Sequence, residues 1–150
     1  MAEIGALANF AGVIGAGLQL SMVFYDFAST IGAAGKELKS VAREISLVCG
    51  VLKQVQSMLS KAKAFRASTS AIQLTQDILD RCQEIFDELE IILKKLRKND
   101  SKSIDILTRV KWVYKKSGVL VKQQSLTSCT HALHIMISTL DFAQRIATRR

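Results

Sequence analysis

Proline is absent from this 150-residue chain, and seven of its eight glycines fall within the first fifty positions, leaving only Gly118 beyond them. Little therefore interrupts a helix after residue 50. Turn signals at hairpin spacing and alternating strand and helix patterns are both missing, which excludes sandwiches, barrels and α/β folds and leaves an all-α class. Pairs of the CxxC type are missing too. Cys49, Cys82 and Cys129 are odd in number and far apart, and the start Met1-Ala2-Glu3 carries an acid where a secretory signal needs bases. That combination points to reduced, core-packed thiols in a cytosolic setting. No GxxxxGK[ST] loop occurs, and Gly12-Val13-Ile14-Gly15-Ala16-Gly17 lacks both the preceding strand and the lysine of a phosphate cradle. His131 and His134 stand three apart near Cys129, but no further ligand completes a tetrahedral set. Catalytic, cofactor-binding and metal-ligating residues are thus not expected, and the function classes that remain are binding, assembly and membrane action.

Charge is absent from residues 4 to 25, IGALANFAGVIGAGLQLSMVFY, between Glu3 and Asp26. As a helix this stretch spans about 33 Å, close to the hydrocarbon thickness of a bilayer. Gly5, Gly12, Gly15 and Gly17 weaken it, and Asn9, Gln19 and Ser21 dilute it, so a permanent anchor is disfavoured. Small residues recur at four-residue spacing, Ala8, Gly12 and Ala16 in one row and Ala11 and Gly15 in the next, which allows close backbone approach in lipid or in a tight bundle. The segment reads as conditional: a buried core helix at rest, and a membrane-inserting or helix-packing element on activation, through Leu7, Ala8, Phe10, Ala11, Gly12, Ile14, Gly15, Ala16 and Leu18.

The net charge of +8 is concentrated, because residues 94 to 122 hold ten bases against two acids while residues 36 to 93 balance. One reading is a solvated face. The other is contact with anionic membrane lipids through Lys94, Lys95, Arg97, Lys98, Arg109, Lys111, Lys115 and Lys116, with Trp112 and Tyr114 suited to an interface. No nucleic-acid partner is expected, since no recognition motif accompanies the charge.

The remaining apolar residues alternate three and four apart. Leu38, Val41, Ile45, Val48, Leu52, Val55 and Leu59 mark a helix from Lys36 to about Ala64, after a break at residues 29 to 35 where Gly32 or Gly35 caps the first helix. Following a loop from Phe65 to Ser70, Ile72, Thr75, Leu79, Cys82, Phe86, Leu89, Leu93 and Leu96 mark a third helix to about Lys98. Ile78, Ile85 and Ile92 broaden its buried face. After a turn over Asn99 to Ser103, a short fourth helix to Lys116 is expected with Ile106, Leu107, Val110, Val113 and Tyr114 inward. A reversal at Ser117-Gly118 then leads to a last helix through Leu126, Cys129, Leu133, Met136, Leu140, Ala143 and Ala147, with Ile135, Ile137, Phe142 and Ile146 leaving few exposed faces. With 49% hydrophobic residues, the chain can bury a core as one domain, an antiparallel bundle of four amphipathic helices plus the N-terminal apolar, Gly-rich helix.

Three stretches, MAEIGALANFAGVIGAGLQLSMVFYDFASTIGAAGKELKSVAREISLVCGVLKQVQSML, RVKWVYKKSGVLVKQQSL and HALHIMISTLDFAQRI, together resemble the fungal N-terminal domain of NACHT-type and other STAND proteins, in the HeLo-like cell-death effector group. The resemblance covers nearly the whole chain and rests on small and apolar residues. It implies a non-enzymatic effector of an NLR-like receptor in innate immunity and heterokaryon incompatibility. On activation such a domain forms a homo-oligomer, and its first helix leaves the bundle to perturb the plasma membrane. It also implies C-terminal NTPase or repeat domains in the parent protein, and a cytoplasmic resting state. The strongest pore-forming relatives have a more continuously apolar first segment than this one, so an adaptor domain without membrane activity is the alternative reading.

Overall fold

A computed structural model of the chain describes residues 2–61, 69–97 and 106–148. Among them four α-helices and one 3-10 turn form, and no strand. Helix α1 spans Ala2–Thr30, and the turn Gly32–Gly35 leads into α2, Lys36–Lys61. Helix α3 spans Thr69–Arg97, and α4 spans Ile106–Thr148. The first break falls where the glycines placed it. Gly32 adopts the left-handed conformation (φ 67°) that ends a helix without steric cost. Gly35 lies so close to the Ala28 carbonyl oxygen that any Cβ there would collide with backbone. The expected loop from Phe65 to Ser70 falls largely, and the turn over Asn99 to Ser103 wholly, outside the described residues.

The all-α bundle agrees with the sequence reading, but the number of helices does not. Residues 106 to 148 are one continuous helix of 43 residues, so there are three amphipathic helices rather than four, and Ser117-Gly118 is not a reversal. A glycine inside a helix costs only about 1 kcal/mol. The buried stripe Trp112, Val119, Leu126 and Leu133 repeats every seven residues across that position, and packing along it outweighs the local penalty. The same phase reverses two expectations. Trp112 is buried, not interfacial, whereas Val113 points outward at 70% exposure. The later part of α4 is also more exposed than its composition suggested, with Ile135, Phe142 and Ile146 in solvent.

Interhelix contacts fix the arrangement. Helix α1 packs against α2 and α3, and α4 packs against the same two, so α1 and α4 occupy opposite corners. Ser21 Oγ donates to the Ala42 carbonyl and the Cys49 thiol faces the Ile14 carbonyl, which makes α1 and α2 antiparallel. Thr75 meets Met136 and Lys122 meets Glu88, so α3 and α4 are antiparallel as well. Asn9 bonded to Gln76 and Gly17 set against Phe86 make α1 parallel to α3. Glu37 paired with Lys116 and Glu44 accepting from Thr127 make α2 parallel to α4. Two antiparallel hairpins thus lie side by side around one core of Phe10, Phe24, Leu38, Ile45, Leu52, Leu79, Ile85, Phe86, Leu89 and Leu126.

Candidate membrane and assembly surface

Helix α1 differs from its neighbours in having two apolar faces. Its inner face, Phe10, Val13, Ile14, Gly17, Leu20, Phe24 and Ala28, follows the three-four spacing and is buried against α2 and α3. Its outer face carries Ala11, Gly12, Gly15, Ala16, Gln19, Met22 and Tyr25 into solvent, with Met22 at 68% exposure. Residues Asn9–Thr30 are long and apolar enough to cross a membrane, yet only 33% of their apolar window is buried. By contrast the described exposed face of α3 is mostly charged, and that of α2 mixes Lys36, Arg43 and Lys53 with serines and Leu47.

The residues proposed for insertion or packing therefore divide. Phe10 and Ile14 are core, Leu18 is half-buried, and Ala11, Gly12, Gly15 and Ala16 are exposed. At Gly12 and Gly15, one from each small-residue row, a Cβ would meet nothing within 4 Å, so no other helix packs closely there. Close approach is made instead by Gly17, where a Cβ would lie 2.7 Å from the Phe86 ring and closer still to the Cys49 sulfur. Gly17 shares the seven-residue phase of Phe10 and Phe24, a signal that four-residue counting passed over. The side chains of Leu7 and Ala8 lie outside the described residues. Polar residues of the run also have uses: Asn9 donates to Gln76 at 3.3 Å and Ser21 to the Ala42 carbonyl at 2.7 Å, tying α1 to α3 and to α2. Tyr25 stacks under Lys39, with the ammonium 5.5 Å from the ring centre.

Of the described bases, Lys94 and Arg97 at the end of α3 lie beside the C-terminal half of α1, and Lys116 of α4 lies against the start of α2. A groove of about 260 Å³ between α1 and α3 is lined by Ala16, Leu20 and Val23 on one wall and Glu90, Lys94 and Arg97 on the other. Lys95 is exposed, and Lys115 is half-buried. Several of the bases are already paired: Lys116 with Glu37 at 2.7 Å, Lys94 with Glu90 at 3.4 Å, and Lys122 with Glu88. Lys98 and the side chains of Arg109, Lys111 and Tyr114 lie outside the described residues.

His131 and His134 are exposed on α4, and among the described residues no three histidine, cysteine or acidic side chains gather as a metal site would need. The cysteines are buried. Burial pushes the Cys49 thiol up to about 11 despite nearby Lys53. Hydrogen bonding with Cys129, then burial, pushes Cys82 up as well, while the same interaction brings Cys129 down to about 7 against the effect of its own burial.

Residues 14–134 match the family model for SesA, an N-terminal domain on NACHT NTPases and P-loop NTPases. The chain belongs to the SesA family. The SesA match runs from the middle of α1 into the second half of α4, so it includes all of α2 and α3 and part of each of the other two helices. No curated protein and no solved structure matches the chain significantly. The family description agrees with an N-terminal domain of the NACHT class, and an NTPase-bearing parent is the setting in which SesA domains occur.

Proposed function

We propose that this SesA domain is the effector part of an NLR-like receptor of the HeLo-like kind, followed in its parent by an NTPase, and that its activated oligomer delivers α1 to the plasma membrane in regulated cell death. The observation that carries this reading is the second apolar face of α1, which a helix serving only the core has no reason to keep free of charge from Asn9 to Tyr25. At rest the domain is cytoplasmic and the inner face is held. Exposing Phe10, Val13, Ile14, Leu20 and Phe24 to water would cost roughly 8 to 15 kcal/mol, comparable to the whole stability of a domain. Release therefore requires a new apolar environment, and lipid can cover both faces at once. Arg97, exposed at the groove beside the C-terminal half of α1, and exposed Lys95 near the same end of α3 favour an anionic bilayer.

A second reading, an adaptor domain that docks like domains without touching lipid, is favoured by the ion pairs of Lys94, Lys116 and Lys122, which give these bases of the segment a structural use. Leakage of vesicles containing anionic lipid, triggered by the oligomerised full chain, separates the two. Gly12→Glu and Gly15→Glu fall on the open face, so the bundle stays folded by circular dichroism while leakage is lost. Leakage equal to the unmodified protein in both variants refutes membrane insertion by α1.

A further inference from the structure

The three cysteines, far apart in sequence, converge on the middle of the bundle from three helices. Cys49 of α2 is turned toward α1: its sulfur lies 3.7 Å from the Ile14 carbonyl and beside Gly17. Cys82 of α3 and Cys129 of α4 are both buried in the core of the other hairpin. Thr75 faces Met136 and Glu88 faces Lys122 in the antiparallel α3 and α4 pair, and that register sets Cys82 directly opposite Cys129. The two thiols interact. They are unequal in access, because Cys82 is wholly buried whereas Cys129 keeps 8% exposure.

We propose that Cys82 and Cys129 form an oxidative modification site, a dithiol that hydrogen peroxide converts to a disulfide latching α3 to α4. Cys129 is the attacking sulfur, since it is the reachable one and its thiolate is favoured by Cys82 and by the Arg81 charge. Its sulfur takes one peroxide oxygen as the O–O bond breaks, giving a sulfenic acid and releasing hydroxide. The Cys82 sulfur then attacks that sulfur. The S–S bond forms, the S–O bond breaks, and the hydroxyl leaves with the Cys82 proton as water. Two thiols have lost two electrons, and one peroxide has become two waters. Cys49 lies close enough to act on Cys82, but its sulfur is turned to the Ile14 carbonyl of α1 and burial holds its thiol protonated, so it takes no part. The latch joins the helices of one hairpin and leaves α1 uncrosslinked, so it holds α3 to α4 without itself tethering the first helix.

Full-length protein treated with hydrogen peroxide, alkylated and mapped by mass spectrometry tests this. The expected product is an intrachain disulfide between Cys82 and Cys129 with Cys49 still a free thiol after denaturation. Cys82→Ser is expected to stop at a dimedone-reactive sulfenic acid on Cys129, and Cys129→Ser to form no disulfide. The urea midpoint of the oxidised protein should rise and return on reduction. A disulfide that includes Cys49, sulfenic acid on Cys49 rather than Cys129, no disulfide in the folded protein, or a midpoint that stays or falls on oxidation would overturn the proposal.

Discussion

Gly17→Ala places a single methyl group where α1, α2 and α3 converge. The added carbon would stand 2.7 and 2.9 Å from two ring carbons of Phe86, and nearer still to the Cys49 sulfur, in a layer where both neighbours are buried. Overpacking of this kind costs about 1 to 3 kcal/mol, offset by about 1 kcal/mol of helix propensity gained when alanine replaces glycine. Gly12→Ala gains the same propensity on the open face without any collision. The two variants, five residues apart on one helix, should therefore differ by about 1 to 3 kcal/mol, or roughly 2 to 12 °C in melting temperature for a domain of this size. Thermal and urea unfolding of both, followed by circular dichroism, provides the measurement. Combining Gly17→Ala with Cys49→Ala should recover part of the loss, since the nearest colliding atom is then gone. A Gly17→Ala protein as stable as Gly12→Ala would mean that α1 does not seat in the bundle with this face inward, and the account of its two faces would fail.

Other expectations are more local. Gly118→Ala should raise the melting temperature by about 2 to 4 °C, because the glycine lies in a continuous helix with open space at its Cβ. A fall would restore the reversal that the sequence suggested. The raised Cys49 thiol makes stability depend on alkali. Below pH 9 the folded and unfolded states are both protonated and the contribution is intact; as pH rises toward about 11 the unfolded chain loses a proton that the fold retains, and stability declines. Unfolding free energy from urea titrations should drop between about pH 8 and pH 11 by on the order of 2 kcal/mol more for the natural sequence than for Cys49→Ala. Equal declines would show that this thiol is not held in the core.

Much of the architecture is written in local order along the chain. The three-four spacing of Leu38 to Val55 and of Thr75 to Leu96 named buried residues correctly, because a helix turns by a fixed angle and its apolar residues mark the side that faces a partner. Gly32 announced its turn because few other residues accept that backbone conformation. The uncharged run identified α1 as unlike the other helices.

Which helices are neighbours, and the phase of α4, were not legible, since both depend on residues distant in sequence. Whether Gly118 breaks a helix depends on the heptad stripe from Trp112 to Leu133 finding a core to pack on, and its success buries Trp112 and expels Val113. Which glycine permits close approach depends on Cys49 and Phe86 arriving from two other helices. The pairing of Cys82 with Cys129 depends on the register between α3 and α4. Sequence by itself determined an all-helical chain with an apolar, charge-free beginning, because composition and periodicity are properties of a segment. Tertiary structure alone decided which half of that beginning is hidden and which is offered to solvent, because burial is a relation between surfaces that meet only when the chain is folded.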